Sequence, residues 1–164
     1  MNQKIIDIDH PVLLEDTVVF RMAVAVNLNV SSGQRDYTNK YGLKITDWRV
    51  LMLLAEHKMM SPTELSDVLA VDKMTITRSV KRLLKGKVIK ASRSSEDYRK
   101  LNLTVERKGA EIYNELAPKS FEHQSTLLSD LSPAEQLMLK ELLAKVMARG
   151  RIMLSQAADQ PSSG

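Results

Sequence analysis

The chain has 164 residues with 24 Lys and Arg against 20 Asp and Glu, a formal net charge of +4, and its 43% hydrophobic and 27% charged content excludes a disordered polymer and suits one domain or a lobe plus an oligomerisation region. It contains no cysteine, which excludes a disulfide scaffold, a thiolate zinc site, an iron–sulfur cluster and a thiol redox switch. The longest apolar stretch, Val18 to Val30, is broken by Arg21, Asn27 and Asn29, is too short to span a bilayer and has no secretory-signal layout, so a soluble, cytoplasmic protein is expected.

Residues 1–10 read as an arm. Over 12–37, Leu14, Val18, Met22, Ala25 and Leu28 recur at spacings of three and four and predict a long helix, with Val19, Val24, Val26 and Val30 widening its apolar surface towards a core or a partner subunit. Thr46 is expected to cap a helix running to Ala55 that buries Val50, Leu51, Leu53 and Leu54. Ser61-Pro62-Thr63-Glu64 predicts a capping box with proline at the first helical position and Met60 and Leu65 as its hydrophobic staple. Asp72 caps the next helix, which ends at Gly86 and presents Ile76, Val80, Leu83 and Leu84 on one side. Met74, Arg78, Lys81 and Lys85 occupy the other side, with Thr75, Thr77 and Arg82 beside them.

Val88–Ser92 and the alternating Leu101, Leu103 and Val105 predict a β-hairpin with a charged tip, Arg93 to Arg99. A helix follows from about Arg107 to Leu128, kinked at Pro118. Ser132-Pro133-Ala134-Glu135 repeats the capping box and opens a last helix to about Leu154, lined by Leu139, Leu142, Leu143, Val146 and Met153. The segment 156–164 is expected to be a disordered tail.

The modest total charge hides a division. Between Lys73 and Lys108 stand twelve basic and three acidic residues, a net +9, which leaves −5 for the rest. Such a segment is either a solvated basic face or a footprint for a polyanion. The order of elements favours the second: a short helix, a tight turn, a cationic second helix and a basic-tipped hairpin make a winged helix-turn-helix, whose second helix enters the major groove of DNA while the wing follows the backbone.

Tyr41-Gly42-Leu43, Thr46-Asp47-Trp48-Arg49-Val50-Leu51, Glu64-Leu65, Asp72–Arg78 and the later Leu83, Gly86, Val88, Asp97-Tyr98-Arg99 and Gly109 stand in an order that strongly resembles the MarR family of transcriptional regulators, over about residues 12–153. The resemblance implies a mainly α fold with a small β-hairpin wing and a homodimer of interlocked first, fifth and sixth helices. On it, 1–40 is an arm and dimerisation helix, 41–109 the DNA-binding lobe and 110–155 the C-terminal dimerisation helices. Thr75, Thr77 and Arg78 match recognition positions. Asp97 and Arg99 match the wing's Asp-x-Arg, in which the aspartate orients the arginine towards the minor groove. Ser61 and Thr63 match the helix start that meets phosphate. Lys73, Lys81, Arg93 and Lys100 complete the expected DNA-binding set.

Two departures stand out: Val105-Glu106 replaces the usual Leu-Thr before the fifth helix, and Lys100 replaces a second wing arginine, which weakens bidentate recognition.

The implied partners are double-stranded DNA with a pseudo-palindromic operator, a second copy of the chain, and a small, aromatic or acidic effector that releases a repressor. An activator, an effector-independent regulator, or a winged-helix protein-interaction module are the alternatives. Arg21 interrupts an apolar run and either meets an acidic effector or points to solvent or across a dimer. Trp48 is either core or part of the effector site. The three histidines, His10, His57 and His123, lack ligand spacing, and no phosphate loop or nucleophile elbow is present, so neither a metal, a cofactor nor an enzyme is expected.

Overall fold

The computed structural model describes residues 14–34, 39–93 and 101–159. They form α1 (Val18–Asn29), α2 (Ile45–His57), α3 (Pro62–Leu69), α4 (Lys73–Lys85), the antiparallel strands β1 (Ile89–Arg93) and β2 (Leu101–Val105), α5 (Arg107–Leu127) and α6 (Pro133–Asp159). The expected fold class is thus found: mainly α with a two-stranded wing. The chain divides within α5 into two compact units, 1–121 and 122–164.

In the first unit, Thr17 caps α1 by accepting from the Phe20 amide. The long helix predicted over 12–37 is shorter than that. Regular helix ends at Asn29, and a π turn over Val30–Gln34 breaks at Gly33, whose φ of 153° is open to glycine and strained for other residues. Ser31-Ser32-Gly33 also has low helix propensity, so the apolar periodicity outran what the backbone sustains. No residue of α1 is buried.

The core of this unit is built by α2 to α5 and the wing: Trp48, Leu51 and Leu54 from α2, Leu65 from α3, Ile76, Val80 and Leu83 from α4, Ile89 and Leu103 from the strands, and Ile112 and Leu116 from α5. The starts of α2, α3 and α4 are closed locally. The capping box of α3 is present, with Ser61 Oγ accepting from the Glu64 amide at 3.2 Å and Glu64 Oε2 accepting from the Ser61 amide at 2.6 Å. Asp72 caps α4 through the Thr75 amide at 2.8 Å.

The α2 start differs from expectation. Lys44, not Thr46, is the cap residue, because Asp47 turns back to accept from the Lys44 amide at 3.0 Å. The end of α4 differs too. Gly86 keeps a helical φ of −76°, and the left-handed residue is Lys87, φ 54°, where the Val88 amide bonds back to the Leu83 carbonyl at 2.9 Å. That is a Schellman turn displaced by one residue, and α3 ends in the same way at Ala70.

The wing strands pair in register Ile89 with Val105 through Arg93 with Leu101. Met60 adds a bridge on the far side of β2, exchanging both amide bonds with Leu103, so the hairpin is stitched to the α2–α3 turn. Gly109 lets α5 lean on the wing root: a Cβ there would stand 2.1 Å from the Val88 carbonyl oxygen. Pro118 lies inside α5 without ending it.

In the second unit, Ser132 and Glu135 form the expected capping box of α6, with the Glu135 carboxyl held below its usual range by bonds from the Ser132 hydroxyl and amide. The helix continues to Asp159, beyond the expected Leu154 and into the segment read as tail; residues 160–164 lie outside the described part. Among the described residues, no helix is long and apolar enough to cross a membrane.

Candidate nucleic-acid interface

The surface of α4 is divided along its length. Ile76, Ser79, Val80 and Leu83 are buried, while Met74, Thr77, Arg78, Lys81 and Lys85, spaced at three and four residues, form one exposed stripe. Lys73 is exposed beside it. The helix therefore sits core-side down with a cationic stripe outwards, which is the disposition a groove-reading helix needs.

The hydroxyls of the stripe and its flank are already engaged. Thr75 donates to Asp72 Oδ2 at 2.6 Å, and with the Thr75 amide this keeps the Asp72 carboxyl below the usual carboxylate range. Thr77 donates to the Lys73 carbonyl at 2.7 Å.

What aims the stripe is a buried ion pair on the inner side. Asp47, only 1% exposed, receives the Arg82 guanidinium through two bonds (Nη2 to Oδ1 at 2.7 Å, Nε to Oδ2 at 3.0 Å) and the Ser79 hydroxyl at 2.6 Å. With the Lys44 amide, four donors converge on one carboxylate and clamp the first turn of α2 to the middle of α4. The pairing raises the Arg82 pKa further. Arg82 is thus withdrawn from the cationic face on which sequence reasoning placed it. The missed signal was Ser79, a polar residue in the apolar arc of α4 three residues before Arg82: buried hydroxyls require partners.

Ser61 is half-buried at the start of α3, its Oγ accepting from an amide, and Thr63 is exposed two residues on. Arg93 ends β1, exposed. The wing residues Asp97, Arg99 and Lys100 lie outside the described residues.

Of the two effector candidates, Trp48 is fully buried, 6.0 Å from the Tyr113 ring, with no acceptor for its Nε1–H among the described atoms. Arg21 is exposed on α1 and donates to the Glu15 carbonyl at 3.0 Å beside Asp16. Neither lines the cavity of about 610 Å³ that opens at the heel of α4, walled by Lys40, Leu43, the Asp47–Arg82 pair, Lys85 and Lys108. At its edge Glu115 accepts from Lys40 at 2.6 Å and from the Tyr41 hydroxyl, which together pull its pKa down to about 2.

Residues 35–116 match the family model described as transcriptional regulator SarA/Rot. The chain is 25% identical over 112 residues to the HTH-type transcriptional regulator FarR of Neisseria gonorrhoeae, covering 68% of this chain and 77% of that one. In fold it is similar to Bordetella bronchiseptica BpsR, a structure concerned with regulation of that protein's DNA binding by 6-hydroxynicotinic acid (TM-score 0.74, 22% identity, 84% of this chain and 97% of that). It is also similar to a mutant of Escherichia coli MarR complexed with operator DNA (TM-score 0.71, 22% identity, 84% and 99%). These proteins are regulators and not enzymes.

Proposed function

Since the chain belongs to the SarA/Rot family of transcriptional regulators, in the winged-helix group that also holds the MarR proteins, we propose that it works as a homodimeric, sequence-specific repressor that grips a pseudo-palindromic operator and releases it on binding a small acidic effector. The observation that carries this reading is the division of α4 into a core face and an exposed stripe of Met74, Thr77, Arg78 and Lys81, aimed from behind by the Asp47 clamp. Arg78 offers a forked donor suited to guanine O6 and N7; Lys73 and Lys81 supply charge to phosphates. Thr75 and Thr77 flank Arg78 at base-edge positions. Ser61 and Thr63, at the start of α3, meet the backbone. Arg93, Asp97, Arg99 and Lys100 carry the wing to the neighbouring minor groove.

The homodimer rests on α1 and α6, which each leave apolar side chains in water: Val18, Val19 and Val26 on the one, Leu142, Val146 and Met153 on the other. Two copies place two α4 helices on successive major grooves about 34 Å apart, and any change in their separation releases DNA. For the effector, the likeness of fold to BpsR supports an aromatic acid, and the cavity at the heel of α4 has the volume and cationic wall to take one. Arg21, exposed on α1, and Trp48, in the core, do not line that cavity and stand as candidates for an effector contact apart from it: Arg21→Ala that leaves both effector affinity and DNA release unchanged removes Arg21 from the effector site.

Selection of bound duplexes from a random pool tests the whole reading. We expect an enriched palindrome whose affinity drops steeply with salt. Arg78→Ala weakens that binding by about 5- to 150-fold with helicity by circular dichroism unchanged. Binding indifferent to both salt and Arg78→Ala identifies a protein-interaction module instead.

A further inference from the structure

Among the exposed side chains of α4, one does not fit a face made for phosphates and hydrogen bonds. Met74 is 59% exposed and is the sole exposed apolar residue of the helix: Ile76, Val80 and Leu83 are buried and Leu84 half-buried. It stands in the first turn, two residues after the Asp72 cap, at the end of a recognition helix that approaches base edges most closely. Its neighbours along the stripe are Thr77 and Arg78, three and four residues on.

The hydrogen bonds of this turn narrow what the stripe can read. A threonine hydroxyl has one proton, and those of Thr75 and Thr77 are committed to Asp72 and to the Lys73 carbonyl. Both hydroxyls can accept from a base, but neither can donate without breaking a bond within the helix. Hydrogen-bond donation in this part of the stripe falls to Arg78, the two threonine hydroxyls are left to accept, and apolar contact is the further kind of reading that the stripe offers. On the major-groove edge of a base pair the only apolar group is the C5 methyl of thymine.

We infer that Met74 is a specificity-determining residue that reads thymine methyl groups in the major groove, beside the base contacted by Arg78. The inference rests on the DNA-binding reading of α4 above. A flexible thioether chain in water gains by covering a methyl group and gains nothing from the bare C5 edge of uracil.

The test replaces thymine by deoxyuridine, one position at a time, in the duplex enriched from the random pool, and measures binding of the full chain by fluorescence anisotropy. Wild-type protein is expected to lose about fourfold in affinity at one or two thymines of each half-site, the worth of one methyl group taken out of water. Met74→Ala is expected to bind the thymine duplex more weakly by a similar factor and to ignore the same deoxyuridine substitutions, whereas Met74→Leu keeps the sensitivity. Deoxyuridine effects of equal size in wild-type and Met74→Ala, or no sensitive thymine at all, overturn the inference while leaving DNA binding intact. Failure to enrich any duplex overturns the DNA-binding reading and this inference with it.

Discussion

In the winged lobe, Trp48, Leu51, Leu65, Ile76 and Leu103 are buried almost completely and the acceptor oxygens of Asp47 are filled by neighbouring donors; on α6, Leu137, Leu142, Val146 and Met153 are each about half exposed and Leu143 is half-buried. Both regions are rich in Leu, Val and Met. Composition therefore does not separate them; the number of neighbours does. The lobe surrounds its apolar residues with five elements of its own chain, so its fold is specified by local caps and mutual packing. The 27-residue α6 has a well-formed local start in the Ser132–Glu135 box but leaves its apolar side in water, and it is on this side that the proposed homodimer rests.

This contrast is open to attack at several points, the strongest being the clamp behind α4. Asp47→Ala removes the acceptor of the Ser79 hydroxyl and strands the Arg82 guanidinium, which is partly buried; we expect a loss of about 3 kcal/mol in stability by urea denaturation. The loss is expected to be the same at all protein concentrations, because the clamp belongs to one chain. Specific duplex affinity should fall with it as α4 loses its aim.

A second strike falls on the exposed helix. Leu142→Glu together with Val146→Glu changes surface positions that, in a monomer, are worth within about 0.5 kcal/mol each. We expect instead that wild-type protein sediments as a dimer with a melting temperature that rises with concentration, and that the double variant sediments as a monomer with lower duplex affinity. A monomeric wild-type protein would remove the second half of the comparison.

The smallest effect concerns the link from Lys40 and Tyr41 to α5. Lys40 and Tyr41 hold the Glu115 carboxyl at about 2, below its ordinary 4.5. A carboxyl with a depressed folded-state pKa contributes stability that is complete above its unfolded value and lost as pH falls through the folded one. The contribution is therefore present above about pH 4.5 and disappears towards pH 2. Glu115→Gln should lower the melting temperature by a constant amount above about pH 4.5, pH 7 included, and converge on wild type as pH falls towards 2, which flattens the profile in that window.

Much of this was legible from residue order, and the reasons differ from case to case. The boxes at Ser61 and Ser132 were predictable because a cap involves residues three apart and nothing else. The wing was predictable because Leu101, Leu103 and Val105 alternate against a pleat of period two. The exposed cationic stripe of α4 was predictable because Ile76, Val80 and Leu83 left it only one side of the helix. The shift of the α2 cap to Lys44 was not, since it depends on a carboxylate drawn inwards by Ser79 and Arg82, which lie 32 and 35 residues away. Nor was the displacement of the left-handed turn to Lys87, where the Val88–Leu83 bond and the packing of the wing root overrode the preference for glycine.

The sequence alone therefore determined the element order, the caps at Ser61, Asp72 and Ser132, the segment of net charge +9 between Lys73 and Lys108 and the family to which the chain belongs. Those properties follow from short-range periodicity and hydrogen bonding, which act within a few residues. Tertiary structure alone decided that Arg82 serves the core and not the cationic face, that Met60 joins the wing, and that Gly109 stands where no side chain fits. Each of these is a meeting of groups far apart along the chain. Their partners become known only when the core closes and desolvation forces every buried charge, amide and hydroxyl to find one.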